Sequence, residues 1–343
     1  STGGRWGATL KTARLLAEEG HSVTLLIDPV DLPNVPADFV GPGLDVVTLR
    51  NSGHYDLIAS WKASRLLRAR RIDAVIAHSG RAIHMLKRAA PPTVPVIAFN
   101  HSHNIKRTLK ADAFFCITPY MKQIVDAATG GNKPAFVISN AVSVPAQSEL
   151  GREGDGRFSI GAISRLVEGK GLETLVAALA LLAQRGVDFR AAIAGDGELR
   201  AALEQQVEDA QLGDRVAFPG WLDEGGKAAF YRSVDVVCYT SGRDVQPLTV
   251  LEAFGWGKAL VGTDVLGGSS CYEDGHTALV TRVGDAAQLA AALERLGRDA
   301  ELRARLGRHA REQAMRCHAD AVVAEMLDQR IRQLAADVGG RAA

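Results

Sequence analysis

Two acids eight positions apart, Asp244 and Glu252, stand where a strand-like run gives way to a helical one. In the stretch Ser241-Gly242-Arg243-Asp244-Val245-Gln246-Pro247-Leu248-Thr249-Val250-Leu251-Glu252-Ala253, Asp244 falls in the loop and Glu252 just over one turn into the helix. Amides at a helix N-terminus suit an anion or sugar oxygens. Two carboxylates beside them can accept hydrogen bonds from a hydroxyl-rich ligand. The same spacing also fits a loop acid and a helix-surface Glu with no ligand between them. A second group is Arg165-Leu166-Val167-Glu168-Gly169-Lys170-Gly171, which follows another strand-like run and opens another helix. Arg165 and Lys170, five apart in a glycine-punctuated loop, have the charge to clamp a diphosphate. Solvated loop cations have the same signature.

Three further features are weaker. Gly3-Gly4, with Gly7, opens the chain and could cradle phosphate through backbone amides; the spacing is not GxGxxG, and a plain turn explains it as well. Asn100-His101-Ser102-His103-Asn104 follows the apolar run 94–99, which places His101 at a strand's carboxyl end. His-x-His is a metal-ligand pair, but no third ligand is near in sequence and Asp-x-Asp occurs nowhere, so no metal site is expected. Last, residues 61–71 read Trp-Lys-Ala-Ser-Arg-Leu-Leu-Arg-Ala-Arg-Arg, with basic residues partly on one helical face. Such a face suits an anionic lipid surface or plain water.

The elements that must position these residues alternate. Strands are expected at 21–27, 46–49, 74–77, 94–99, 113–117 and 135–138, with helices at 8–19, 56–70, 82–89 and 119–129. After a polar, glycine-rich stretch at 141–157 the pattern restarts. Strands are expected at 158–163, 189–194, 216–218, 234–239 and 259–263, and helices at 171–184, 199–210, 227–232, 248–255, 286–296 and 301–333. Short apolar strands between amphipathic helices indicate parallel sheets covered on both faces. Ligands of such sheets bind beyond the carboxyl ends of the strands. The loop 1–7 opens a helix as though a strand preceded it, so the first strand of the first domain is expected to be missing.

Length and composition agree. With 343 residues, 47% hydrophobic and 23% charged, the chain suits two globular domains. Disorder and collagen-like structure are excluded, and no apolar run reaches a membrane span. Four separated cysteines without CxxC indicate neither zinc nor a disulfide framework, and fit a cytoplasmic protein. The net charge of +1 hides an asymmetry: residues 1–150 hold 17 basic and 11 acidic residues, and residues 151–343 hold 23 and 28. The halves are therefore expected to meet different partners, neither of them a nucleic acid.

Taken in order, the motifs resemble glycosyltransferase family 4, the group 1 retaining enzymes that use nucleotide-diphosphate sugars. Gly3-Gly4 followed by a helix and His21-Ser22-Val23 is similar to the opening "GG…LA..GH.V". Val137-Ile138-Ser139-Asn140 resembles "VIPNG", Ile163-Ser164-Arg165-Leu166 with Lys170-Gly171 resembles "GRL…KG", and Ala194-Gly195-Asp196-Gly197 matches "GDG". Phe218-Pro219-Gly220 resembles "F.G", 235–239 the "ADVFV" strand, and Asp244 with Glu252 the acid, seven residues, Glu motif.

The resemblance implies an α/β fold of GT-B type: two doubly wound Rossmann-like domains facing across a cleft. Residues 1–150 form the acceptor side and 151–343 the nucleotide-sugar side, with the last helix crossing back to the first domain. It implies a metal-independent hexosyltransferase with a UDP- or GDP-sugar donor, no cofactor, and a glycan or lipid-linked acceptor such as cell-envelope polysaccharide or lipopolysaccharide. The location implied is cytoplasmic, with peripheral contact on the inner face of an anionic membrane. Arg165 and Lys170 would neutralise the diphosphate and Asp244 would hold donor-sugar hydroxyls. His101 would lie near the reacting carbon, with His103 as its alternate. Glu252 would bind ribose, Gly220 and Trp221 would flank the base, Gly3 and Gly4 would let backbone approach phosphate or acceptor, and Gln246, Leu248 and Thr249 would line the donor. Three departures stand out: Asp244 is one methylene shorter than the usual Glu, Pro247 removes an N–H that usually meets the donor sugar, and the first strand is expected to be missing. A non-catalytic nucleotide-sugar-binding relative is the alternative. A nucleotide-sugar epimerase fits the order of motifs less well, and the absence of GxGxxG disfavours a nicotinamide dehydrogenase.

Overall fold

The structure, a computed structural model, describes residues 4–151, 153–265 and 268–342. Gly3 lies outside the described residues. The chain divides into two units, Ser1–Ala141 with Asp320–Ala343, and Val142–Ala319. The sequence places that division at 150/151, nine residues too late, because 142–157 has a linker's composition. Its ties come from elsewhere in the second unit. The Val142 N–H donates to the His318 carbonyl at 2.9 Å, Arg311 reaches the Pro145 carbonyl at 2.6 Å, and Arg232 reaches Glu153 at 2.6 Å.

In the first unit, α1 (Gly4–Glu18) leads to β1 (Val23–Ile27) and β2 (Leu44–Thr48), which pair in parallel. The expected loop through Gly7 is helical from Gly4. Trp6 anchors that first turn by donating its indole N–H to the Asn34 carbonyl at 3.2 Å and packing on the cluster around Leu25 and Ile27. Next come α2 (Leu57–Ala69), β3 (Val75–Ala77), α3 (Gly80–Ala89), β4 (Val96–Asn100), β5 (Ala113–Cys116), α4 (Pro119–Thr129) and β6 (Ala135–Val137). Asp56, Ser79 and Thr118 cap α2, α3 and α4 by accepting backbone N–H groups, as short polar side chains do at helix starts. Strands β3 to β6 form a second parallel sheet in that order, and β4 and β5 are buried throughout. Between β1 and β3 lies a cavity of about 1210 Å³, lined by residues 21–28 and 70–82. Each of these two strands is paired on one side only among the described residues.

The second unit has six parallel strands in the order β12-β11-β10-β7-β8-β9. In sequence these are β7 (Phe158–Ile163), β8 (Phe189–Ala194), β9 (Val216–Gly220), β10 (Val236–Tyr239), β11 (Ala259–Thr263) and β12 (Leu279–Thr281). The helices are α5 (Leu172–Gln184), α6 (Arg200–Asp209), α7 (Glu224–Ser233), α8 (Leu248–Gly255), α9 (Ala286–Arg298) and α10 (Ala300–Cys317). Alternation along β10 shows both faces covered: Val236 and Cys238 join one apolar cluster, Val237 and Tyr239 the other. The single helix expected over 301–333 is two. It breaks at His318-Ala319, where the backbone turns to pair with Val142, and α11 (Asp320–Ala342) belongs to the first unit, where it meets α1. Lys11 and Asp320 pair there at 2.6 Å, and His21 and Asp328 at 2.7 Å.

Candidate active site

Strand order locates the site. From β7 the chain runs to β8 and β9 on one side, while β10, β11 and β12 lie on the other. The sheet's switch point is therefore between β7 and β10, where the loops that leave their carboxyl ends diverge and open a crevice. Those loops are 164–171 and 240–247, the two stretches singled out by residue chemistry.

They are stitched to each other. The Thr240 hydroxyl donates to the Lys170 carbonyl at 2.8 Å, and the Gly242 N–H to the Gly169 carbonyl at 3.1 Å. Arg243 donates to the Glu168 carbonyl. The approach is too close for side chains. A Cβ on Gly171 would stand 2.2 Å from the Thr240 carbonyl oxygen, and one on Gly195 1.8 Å from that of Ser164, both at positive φ. Glycines thus let the loop after β7 lie between the turn after β8 and the loop after β10.

Within this frame Lys170 and Asp244 meet. The ammonium donates to both carboxylate oxygens at 2.8 and 2.6 Å, with side chains 13% and 28% exposed. The Tyr239 hydroxyl adds a contact to Asp244 at 3.3 Å, and burial, then Asp244, raises the Tyr239 pKa. An ammonium has three donors, so one remains for a ligand. Arg165 is exposed on the same loop.

Glu252 is held separately, and no hydrogen bond joins it to Lys170 or Asp244 among the described residues. One carboxylate oxygen accepts from Lys227 at 2.9 Å, the other from the Tyr231 hydroxyl at 3.0 Å. Lys227 and Tyr231 are four apart on α7 and so share a face. Burial works to lower the Lys227 pKa, and Glu252 more than reverses it. Burial and the same carboxylate drive the Tyr231 hydroxyl well above its usual value. Glu252 is thus an oriented acceptor with lone pairs to spare. Leu248 and Thr249 open α8 after Pro247, whose ring sets the first turn without a side-chain cap. Gln246 is half-buried, Gly220 ends β9 at φ +79° with its carbonyl accepting from the Gly195 N–H at 2.7 Å, and Trp221 is exposed.

His101 lies in the first unit. It follows β4 as His78 follows the adjacent β3, and the two rings share a hydrogen bond, His78 Nδ1 to His101 Nε2 at 2.9 Å. Burial, with Arg5 adding to it, lowers the His101 pKa to about 4; burial and the charge of His101 hold His78 well below its usual value. The pair is neutral at pH 7, one ring donating and the other accepting, which leaves Nδ1 of His101 for a ligand. The His103 ring sits edge-on to Tyr120, and its buried Nε2 has no partner among the described residues. Gly4 begins α1 and is exposed. Among the described residues no three His, Cys, Asp or Glu cluster to hold a metal. Burial pushes Cys116, Cys238 and Cys271 up to about 12, so they are packing groups rather than nucleophiles.

Sequence reasoning missed Lys227, Tyr231, Tyr239 and His78. The i, i+4 spacing of Lys227 and Tyr231 was visible. Their meeting with Glu252 was not, because it depends on α7 and α8 being neighbours.

Two Rossmann-like α/β units, one with a built switch-point site, define a GT-B type glycosyltransferase fold. Residues 146–313 match the family described as "Glycosyl transferases group 1" and residues 4–144 match "Glycosyltransferase Family 4", so the chain belongs to the group 1 glycosyltransferases. It is 30% identical over 190 residues, 54% of each chain, to the lipopolysaccharide core biosynthesis glycosyltransferase LpsE of Rhizobium meliloti. The match thus spans about half the length of that relative. Over 316 residues, 85% of this chain and 80% of the other, it is 26% identical to the phosphatidyl-myo-inositol mannosyltransferase of Mycolicibacterium smegmatis. Among solved structures, Anabaena Alr3699/HepE in complex with UDP superposes with a TM-score of 0.80 at 17% identity, covering 97% of both chains. Sucrose-phosphate synthase from Thermosynechococcus elongatus does so with 0.79 at 20% identity, covering 98% of this chain and 94% of the other.

Proposed function

We propose that this protein transfers a hexose, with retention and without metal, from a nucleotide-diphosphate sugar to a cell-envelope glycoconjugate or lipid-linked acceptor. The observation that carries the reading is the Lys170–Asp244 pair, built by two glycine-tightened loops at the sheet's switch point. A diphosphate brings charge that Lys170 and Arg165 would offset. Asp244 accepts donor-sugar hydroxyls, Glu252 accepts the ribose hydroxyls, Gly220 and Trp221 flank the base, and Gln246, Leu248 and Thr249 line the donor. His101, neutral and oriented by His78, offers Nδ1 near the reacting carbon, with His103 as the alternate. Gly4 lets backbone near the phosphate or acceptor. As the bond to the diphosphate breaks, the acceptor proton passes to the leaving oxygen on the same face, and the two cations stabilise its charge. UDP bound to the Anabaena protein and the lipid acceptor named for the mycobacterial relative support the donor and acceptor classes. The enzyme would work in the cytoplasm, peripheral on the inner membrane face; no described helix is long and apolar enough to cross a bilayer.

The test is calorimetric titration of UDP, GDP and their hexose conjugates, followed by a hydrolysis and transfer assay with the donor that binds. Failure of every nucleotide to bind refutes the reading. Binding without hydrolysis or transfer favours the second reading, a non-catalytic nucleotide-sugar-binding relative, to which Pro247 at the head of α8 points because it withholds an N–H from the donor.

A further inference from the structure

One surface of the first unit has no part in this chemistry. Tyr55, Leu57, Ile58 and Trp61 are 84%, 70%, 69% and 57% exposed. They make up four of the ten exposed large hydrophobic residues described, within seven positions at the entry and first five residues of α2. The opposite face of that helix, Ala59, Ser60, Ala63 and Leu67, is buried, and α2 lies alongside α3. The apolar cluster therefore has no core to join.

Its surroundings carry one sign of charge. Lys62, Arg65 and Arg68 continue the exposed face of α2, and the Arg65 guanidinium stands 5.0 Å over the Trp61 ring. On the other side, Arg88 of α3 donates to the His54 carbonyl at 2.6 Å and to Ser60 Oγ at 3.2 Å, tying the segment to α3. The His54 and His84 rings meet at 4.8 Å, and the charges that bear on His84 there, Lys110, His54, Arg88 and Arg107, are all basic. The nearby acid, Asp56, is consumed as the α2 cap: it accepts from Ala59 N at 2.8 Å and from Ser52 N and Oγ at 3.0 and 2.8 Å. Residues 50–111 hold twelve Lys and Arg against two Asp, so this stretch supplies the positive charge of the N-terminal half. Of the basic run, only Arg70 and Arg71 depart from the face: Arg70 is turned to Asp45 at 2.5 Å, and Arg71 lies beyond the helix end.

We propose that the segment 55–61 inserts into the boundary between headgroups and acyl chains of an anionic bilayer, with Lys62, Arg65 and Arg88 at the level of the phosphates. Such a surface offers negative charge outside and an apolar layer just beneath. Tyr and Trp are side chains that settle at that boundary. A second copy docked through the same face would set cations against cations, and a protein partner's rim would be expected to draw on charges of both signs. The proposal rests on the reading of a membrane-borne acceptor and gives it a docking device, but its test involves neither donor nor transfer.

The test is co-sedimentation of the full chain with vesicles of phosphatidylcholine alone and of phosphatidylcholine with phosphatidylglycerol, at low and high salt. Binding to the anionic vesicles is expected, falling with salt and about fivefold for each cation removed. I58S/W61S, which changes exposed positions only, is expected to weaken it at least tenfold, and K62E/R65E by more than that. Equal partition onto both vesicle types, or unchanged binding of I58S/W61S, overturns the proposal. So does a dimer in sedimentation velocity that I58S/W61S dissolves while no vesicle binding is seen. UDP titration of the same variants, run separately, tells failure of the donor reading from failure of this one.

Discussion

Glu252 is the position where binding and stability can be separated. Its carboxylate holds the hydroxyl of Tyr231, a side chain only 1% exposed, and the ammonium of Lys227. Glu252→Ala leaves that buried hydroxyl with only the long 3.4 Å contact to the Thr249 carbonyl, a cost of about 1–3 kcal/mol. The Lys227 contact, with side chains 25% and 20% exposed, adds under about 1 kcal/mol. For a unit of this size, 1 kcal/mol moves Tm by about 2–4 °C, so a loss of roughly 2–16 °C is expected. Glu252→Gln keeps an acceptor for Tyr231 and lowers Tm less. If Glu252 accepts the ribose hydroxyls as proposed, both substitutions remove a charged hydrogen bond worth about 1.5–3 kcal/mol, so the Kd for UDP or GDP should rise about tenfold to more than a hundredfold. Tyr231→Phe serves as the control. It removes the hydroxyl but not the carboxylate, and affinity should stay within about threefold. Calorimetry and thermal denaturation read both quantities. The assignment is refuted if E252Q binds nucleotide as tightly as the parent, or if Y231F weakens binding as much as E252Q does.

Asp244→Asn should release Lys170 from its partner. Free UDP is expected to bind about threefold to tenfold more tightly, while hydrolysis of the donor falls; unchanged UDP affinity in titration argues against Lys170 as the diphosphate cation. Gly195→Ala would place a Cβ 1.8 Å from the Ser164 carbonyl at φ +128°, so a loss of several kcal/mol in urea unfolding and of nucleotide binding is expected. A Gly195→Ala protein with parental stability would contradict the tight loop contact. Burial lowers the pKa of His318 to about 4, and His101 likewise. Between the unfolded value near 6.5 and the folded value the unfolded chain binds more protons. The stability is therefore fully present above about pH 6.5 and is lost as pH falls toward 4, on the order of 3 kcal/mol for His318. Urea midpoints flat from pH 7 to 4.5 would show that these rings are not buried as neutral groups.

Local pattern carried much of the fold. The strands expected at 158–163, 189–194 and 259–263 and the helices at 119–129 and 248–255 coincide with β7, β8, β11, α4 and α8. In each, an apolar run is bounded by glycine, proline or a capping side chain, so the signal and its limits lie in adjacent residues. The start of α1 at Gly4 and the break at His318-Ala319 were not legible, because Trp6 reaching Asn34 and Val142 pairing with Ala319 are contacts between distant residues. Strand β12, Leu279–Thr281, was not expected either; it is marked by its pairing with the distant β11.

The candidate site divides in the same way. Its residue types and spacings were fixed by the chain alone: a Lys in a glycine-punctuated loop after one strand, and an acid, seven residues and a Glu after another. The charge asymmetry and the basic run at 62–71 were equally plain, since counting needs no neighbours. What the chain alone did not specify was that Lys170 would hold Asp244, Tyr231 would hold Glu252, His78 would hold His101, and the uncovered side of α2 would be apolar at its tip. Each depends on which strands and helices lie side by side. That choice is made by burying both faces of a sheet at once, and no single stretch of sequence encodes it.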